Sequence, residues 1–202
     1  MIVRKFLVVL SLVLAPAFAA AATPSEGVPL KVRRGFFTET GIGGFFTVGG
    51  DNGYSNLQSY LQLGAGYQFG FGEGEKNAIP VGLHVGIGAN AANCWAGLST
   101  TNVCSQSDNF TITFLSGSVG FMRSVAERFY VGAKLFFGYT FLDPAPIEDF
   151  SKGFHGGAGL SLEYATNMDH FTIGLDAGWR GVFGGSQLIH TLDFVLRVKY
   201  TF

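Results

Sequence analysis

The C-terminal segment constrains the fold more than any other part of the chain. From Leu188 to Phe202, every second residue is apolar or aromatic except His190, and the intervening row is largely polar. A repeat of two residues indicates a β-strand with one apolar and one polar face. A tilted strand crosses a bilayer with about 9–11 residues, so this segment is long enough to span a membrane.

The composition favours a membrane protein that crosses with strands. Charged residues make up 13% of the chain and aromatic residues 15%, with 30 glycines and a net charge of −1. So few charges cannot solvate a soluble surface, and no apolar run of about 18 residues follows the N-terminal segment to form a membrane helix. The near-neutral charge without a basic stripe argues against nucleic acid as a partner.

The N-terminus is predicted to be a secretory signal peptide over residues 1–22, because two basic residues precede an apolar run and an alanine tract. Cleavage after Ala19 and cleavage after Ala22 are both compatible with the small residues there. Residues 23–35 are expected to form a short periplasmic lead-in, whose basic end either meets lipid phosphates or is a solvated linker. The barrel is expected over residues 36–202.

Eight segments with a period of two follow one another along residues 36–202. They predict an all-β fold, an eight-stranded antiparallel up-and-down transmembrane β-barrel. The short polar turns at residues 72–77, 124–128 and 166–170 alternate with longer connections. Because outer-membrane barrels have short periplasmic turns and longer external loops, the short turns are expected to be periplasmic.

The fourth of these segments, residues 110–123, breaks the alternation. Phe110, Ile112 and Phe114 are expected to face outward, and the large residues of its second half then take the opposite parity. A β-bulge near residues 116–118 would explain this change, and a misassigned register is the other explanation.

The assignment of inside and outside needs a separate argument, because soluble lipocalin-like barrels also alternate. The larger continuous apolar row is the one that carries Phe202, and its aromatic residues gather toward the strand ends, as interfacial girdles do. The opposite row is rich in glycine and holds most strand charges. We therefore expect the apolar row to face lipid and the polar row to face the lumen.

A network of charged residues is expected in the lumen: Glu39, Lys134, Glu163, Asp176, Arg180, Asp193 and Arg197, with Lys199 near the periplasmic end. Four acids and four bases balance, and charges in a narrow interior are costly unless they are paired. Their neutral partners are expected to be Gln58, Gln62, Gln68 and His84. This pattern favours a salt-bridged plug that holds the barrel shut, and an ion or proton pathway is the alternative.

Two further features bear on function. Cys94 and Cys104 lie in the longest irregular segment of an exported chain, so a disulfide between them is expected, either as a rigid external epitope or as simple protection of a loop.

Outer-membrane lipid A deacylases have a similar size but need a His followed two residues later by Ser. None of the four histidines has that spacing, so we expect no enzyme, no cofactor and no metal.

The C-terminal apolar row resembles the assembly signal of bacterial outer-membrane β-barrels: Phe194, Leu196, Val198, Tyr200 and Phe202. The resemblance implies recognition by the barrel assembly machinery and insertion among the lipids of the bacterial outer membrane. Residues 36–202 resemble the small eight-stranded barrels, such as the OmpA transmembrane domain and OmpW-like proteins. The overall character, including the short basic lead-in before Gly35, also resembles small proteins of the myxobacterial gliding machinery.

These resemblances imply a non-enzymatic scaffold or surface-interaction protein. Other envelope proteins, including those of a motility complex, would then be its partners through the external loops. The alternative is a narrow channel for a small solute.

Overall fold

A computed structural model describes residues 34–49, 53–54, 58–89, 111–143, 151–168, 170–184 and 187–202. These residues form the following strands: β1 (Gly35–Gly49), β2 (Gly53–Tyr54), β3 (Gln58–Phe71), β4 (Asn77–Ala89), β5 (Thr111–Ala126), β6 (Phe129–Asp143), β7 (Lys152–Ala165), β8 (Phe171–Gly184) and β9 (Gln187–Thr201). One 3-10 turn, Glu73–Glu75, connects β3 to β4. Within the described residues, no helix is long and apolar enough to cross a bilayer.

Eight of these strands form a closed barrel. Each long strand pairs antiparallel with the next long strand along the chain, and β1 also pairs with β9. The two-residue strand β2 pairs only with the end of β1. Closure satisfies the backbone hydrogen bonds of the first and last strands, which a bilayer requires. The predicted eight-stranded antiparallel up-and-down transmembrane β-barrel is therefore confirmed.

The two ends of the barrel differ. At one end, which we call the turn end, short connections join β3 to β4, β5 to β6 and β7 to β8, and the chain finishes at Phe202. The opposite end, the loop end, carries the other connections. β1 begins at Gly35, one residue before the predicted start of the barrel. The predicted signal peptide, most of the predicted lead-in, and Cys94 and Cys104 lie outside the described residues.

The register of β5 corrects one prediction. Ile112 and Phe114 are only 4% and 2% exposed and face the lumen, so the prediction that they face outward was wrong. The register of β5 against β6 is continuous from Thr111 to Ser124, and the irregularity lies between Ser124 and Ala126 rather than near residues 116–118. The interior takes these large side chains because the facing β4 strand presents glycine there. A Cβ atom at Gly88 would come within 2.9 Å of the Ile112 side chain.

The outer surface is a continuous apolar belt. Side chains such as Leu83 (69% exposed), Leu160 (67%) and Phe154 (70%) project from it with no covering element. Aromatic rings pair on this surface near both ends, for example Phe171 with Tyr200 at the turn end, with 4.9 Å between ring centroids. Soluble monomers rarely expose an apolar surface of this extent, and its aromatic borders are typical of membrane interfaces. The belt therefore faces lipid.

Candidate functional site: the barrel lumen

The lumen consists of three layers. The layer at the loop end, which we call the apolar lid, is made of buried apolar and aromatic side chains: Phe45, Tyr60, Ile112, Phe114, Leu142, Val182 and Val195. The layer at the turn end, which we call the turn-end layer, is smaller: Ala78, Met122, Tyr130 and Ala165. Ionised and hydrogen-bonded side chains fill the space between them. The sequence predicted the middle layer but neither of the apolar ones.

Three aromatic rings close the apolar lid. Phe45, Tyr60 and Phe114 contact one another edge to face, with centroids 5.9 to 6.1 Å apart. The facing β4 strand leaves room for two of them, because a Cβ atom at Gly86 would collide with the Tyr60 ring and one at Gly88 with the Phe45 ring. The glycines of the inward row thus give space to side chains from other strands. Phe45 and Tyr60 could have been found from their inward parity on β1 and β3.

Arg197 on β9 is the hub of the polar layer. Its guanidinium donates to Glu39 Oε2 on β1 at 3.0 Å, to Glu163 Oε1 on β7 at 2.8 Å and to Asp176 Oδ2 on β8 at 3.0 Å. It also donates to Ser161 Oγ at 3.1 Å. All of these side chains are buried. One cation therefore ties four strands together, and its hydrogen bonds are charge-assisted because the guanidinium is ionised, which makes them strong.

Three further cations complete the polar layer. Lys199 Nζ donates to Glu163 Oε1 at 2.7 Å, and Lys134 Nζ donates to Asp176 Oδ2 at 2.5 Å. Arg180 Nη2 donates to Asp193 Oδ2 at 3.1 Å in a separate pair nearer the apolar lid. Each of these pairs joins different strands. We call the eight side chains the charge network: Glu39, Lys134, Glu163, Asp176, Arg180, Asp193, Arg197 and Lys199. All seven predicted lumen residues and Lys199 thus lie in the same layer.

Two histidines extend the hydrogen bonding of this layer. His84 Nε2 lies 2.7 Å from Ser118 Oγ, and its Nδ1 lies 3.2 Å from Glu39 Oε1. His155, which is buried beside Phe114 of the apolar lid, has a hydroxyl at each ring nitrogen: Ser116 at 2.8 Å and Thr140 at 2.9 Å. Sequence reasoning had placed His84 in the lumen but had given His155 no structural role. The inward parity of His155 on β7 was the available signal.

The order Ser118, His84, Glu39 resembles the catalytic triad of hydrolases. The lumen around it does not suit that chemistry. The two cavities that Ser118 and His84 line have volumes of about 30 Å³ each, which is room for roughly one or two water molecules. An acyl substrate does not fit, and the surrounding strand backbone is engaged in the sheet, so it offers no oxyanion donors. Among the described residues, no group of three or more His, Cys, Asp or Glu side chains could hold a metal.

The two cavities are adjacent, because His84, Ser118 and Lys134 line both of them. The apolar lid covers the loop side, and the turn-end layer covers the other side. Eight-stranded barrels have interiors just wide enough for side chains, and buried side chains occupy most of the described part of this lumen.

The C-terminal row lies on the lipid-facing side of β9. Phe194, Leu196, Val198 and Phe202 are exposed there, and Tyr200 contacts Phe202 with 5.0 Å between ring centroids. The backbone N–H of Phe202 donates to the carbonyl of Phe36 at 2.8 Å, which extends the seam between the first and last strands by one residue. The C-terminal aromatic residue is thus part of the closure of the barrel.

No family model matches the chain, and no curated protein matches it either. Solved structures do match. Neisserial surface protein A has 12% identity and a TM-score of 0.58, with 83% of this chain and 97% of that chain covered. The attachment invasion locus protein Ail of Yersinia pestis has 12% identity and a TM-score of 0.48, covering 82% and 99%. The outer membrane protein OprG of Pseudomonas aeruginosa has 12% identity and a TM-score of 0.43, covering 87% and 99%.

At this identity the likeness to Neisserial surface protein A is one of fold. It agrees with the closed eight-stranded barrel and the lipid-facing belt described above. The predicted resemblance to the small outer-membrane barrels is confirmed, and the chain is an outer-membrane β-barrel.

Proposed function

We propose that this protein is a non-enzymatic scaffold or surface-interaction barrel, with a lumen that serves rigidity rather than transport. The observation that carries this proposal is that buried side chains form three successive layers in the described part of the lumen. Side chains of the apolar lid, the charge network and the turn-end layer occupy it in succession. This occupation of the described lumen supports a function on the outer belt and at the two ends of the barrel.

The charge network supports a bracing role. Glu39 on β1 and Arg197 on β9 lie on the two strands that close the barrel, and Arg197 continues to Glu163 and Asp176 on the next two strands. Buried ion pairs of this kind contribute little net stability compared with apolar packing, but they penalise any arrangement that separates them. A barrel locked in one register is a stable platform for loops that contact other molecules.

The contacts with partners are assigned to the loop end. There the longest connection, residues 90–110, carries Cys94 and Cys104, and a disulfide between them would give this loop a fixed shape in an oxidising compartment. We assign other envelope proteins, including those of a motility complex, to this loop, outer-membrane lipid to the belt, and the barrel assembly machinery to the C-terminal row during insertion.

Single-channel recording in planar bilayers separates this proposal from the narrow channel. The wild-type barrel is expected to show no conductance steps. A variant that opens the lid and breaks the hub, Phe45→Ala with Phe114→Ala and Arg197→Ala, serves as a control that a conducting barrel is detected. The lipid-facing change Phe137→Ala should leave the recording silent. Steady conductance from the wild type would refute the scaffold and establish the channel.

Cross-linking in intact cells tests the interaction role directly. Residues 92–106 are replaced by a Gly-Ser linker of equal length, and assembly is checked by the different migration of boiled and unboiled samples on a gel. We expect an assembled barrel that loses its cross-links to envelope proteins. Unchanged cross-links would remove the loop from the proposed interaction surface.

A further inference from the structure

The hydrogen-bond ladder between β4 and β5 is interrupted inside the barrel wall. Pairing between these strands includes Ala78, omits Ile79 and Pro80, and resumes at Val81 in the same register. Both omitted residues still pair with β3 on the other side. The unchanged register excludes a β-bulge, so the interruption is a local gap between two strands.

A proline causes this gap. In an antiparallel pair, residues that exchange both backbone hydrogen bonds alternate with residues that exchange none. The Ser124 N–H donates to the Lys76 carbonyl at 2.7 Å, so the bonded positions are Lys76 and every second residue after it, including Pro80. Pro80 lies opposite Gly120 in this register and has no N–H to donate. The Gly120 carbonyl therefore lacks the donor that the ladder supplies elsewhere.

A polar cavity lies on the lumen side of this carbonyl. Pro80, Gly120, Ser118 and Lys134 line it, and its volume is about 30 Å³, room for roughly one or two water molecules. Glycine keeps this space open, because a Cβ atom at Gly120 would come within 3.2 Å of Pro80 Cγ and 3.3 Å of Lys134 Cβ. Lys134 lies directly opposite Gly120 in the register of β5 and β6.

The donor for this carbonyl has to come from the lumen. A bilayer core offers no hydrogen-bond donor, and a backbone group left unsatisfied there is costly. Among the described residues, Ser118 Oγ contacts His84 at 2.7 Å and Lys134 Nζ donates to Asp176 at 2.5 Å, and neither bonds to Gly120. Lys134 is the least buried side chain of the charge network, with 20% of it exposed. It therefore has room for a further partner.

We propose that one water molecule binds in this cavity and takes the place of the N–H that Pro80 lacks. It donates to the Gly120 carbonyl and accepts from the Lys134 ammonium, which has three N–H groups. A carbonyl only accepts and an ammonium only donates, so a species that bridges them must do both. This excludes halides and metal ions, and the volume of the cavity excludes larger hydroxyl compounds. The site goes beyond the scaffold role and does not depend on it, because it links the barrel wall to the charge network.

Crystal structures of the wild type and two variants test the site. Wild-type density for a water molecule is expected within hydrogen-bond distance of both the Gly120 carbonyl and Lys134 Nζ. Pro80→Val supplies an N–H at similar side-chain volume, so this water should be lost and the new N–H should donate to the carbonyl. The control Ile79→Val, on the lipid-facing row of the same strand, should keep the water. No water in the wild type, a direct bond from Lys134 to the carbonyl, or the same water in Pro80→Val would each overturn the proposal.

Urea unfolding in detergent tests the link to Lys134 independently. Lys134→Met should raise the unfolding equilibrium constant of the wild type, because both the Asp176 ion pair and the bound water lose a donor. In the Pro80→Val barrel the carbonyl has its own donor, so the increase should be about two- to tenfold smaller, the equivalent of one hydrogen bond. In the Ile79→Val barrel the increase should match that of the wild type. An equal increase in all three barrels would refute the bridge between the wall and Lys134.

Discussion

Replacing Arg197 with methionine should destabilise the barrel more than any other single removal of charge. The side chain keeps its approximate length, but three carboxylates lose a donor at 2.8 to 3.0 Å. Other cations remain near these acids, since Lys199 contacts Glu163 and Lys134 contacts Asp176. After the change, the lumen therefore holds one carboxylate more than it has cations.

The expected cost follows from that excess charge. Removing one partner of a buried ion pair costs about 3–5 kcal/mol, because the other charge stays buried without compensation. Since Arg197 serves three acids, we expect a value near the top of this range. At about 1.4 kcal/mol for each factor of ten, the unfolding equilibrium constant rises by more than roughly 100-fold. With a typical urea dependence of about 1–3 kcal/mol per M, the midpoint falls by about 1 M or more.

The assay is urea unfolding of the barrel in lipid vesicles, followed by tryptophan fluorescence and by the migration of unboiled samples on a gel. Arg123→Met is the matched control, because Arg123 is exposed on β5 and a change there should stay within about 0.5 kcal/mol. Arg197→Met combined with Glu39→Gln restores the charge balance and should recover part of the loss. Such non-additivity is expected of residues in one network.

One result would refute this reasoning. If Arg197→Met unfolds at the same urea concentration as Arg123→Met, the ion pairs do not hold the barrel together. If the double variant is less stable than Arg197→Met alone, the excess negative charge is not the cause of the loss.

Three other predictions address assembly, the external loop and the packing of the lumen. Deletion of Phe202 should lower outer-membrane levels far more than loss of a single lipid-facing aromatic, as measured by fractionation and immunoblotting; normal levels would contradict an assembly signal there. Cys94 and Cys104 should react with a membrane-impermeant maleimide on intact cells only after reduction, and labelling without reductant would disprove the disulfide. Gly64→Ala places a Cβ atom 2.5 Å from the His84 imidazole on the neighbouring strand and should lower the free energy of unfolding by about 1–3 kcal/mol. Gly156→Ala, whose Cβ atom meets open space, should leave the free energy of unfolding unchanged. Equal stabilities of the two variants would show that lumen glycines do not provide packing space.

The sequence by itself determined the strands and their two faces. A period of two is a local property of the extended chain, so alternation along residues 188–202 fixed which side chains share a surface before any partner strand was known. The same parity assigned Glu39, Asp176 and Arg197 to the lumen, because their rows also carry glycine and little apolar bulk. The even count of strands followed from the turn residues between them.

Local parity was least informative where the lumen is apolar. On β5 the bulky residues near the loop end lie in the inward row and those farther along the strand lie in the outward row, so hydrophobicity does not distinguish the two rows. The register with β6 decided that Ile112 and Phe114 face inward. Their burial beside Phe45 and Tyr60 forms the apolar lid, which depends on side chains from several strands meeting at one level.

Only the tertiary structure decided which charges pair. Arg197 and Glu39 are 158 residues apart, and they meet because β9 closes onto β1 with a particular stagger. Stagger is a property of the whole barrel, since strand number and tilt together set the level at which each inward residue lies. The alternation along each strand identifies the residues that face the lumen. Closure of the barrel sets the level at which each of these residues lies. Closure therefore places Arg197 beside three carboxylates and Arg180 beside one.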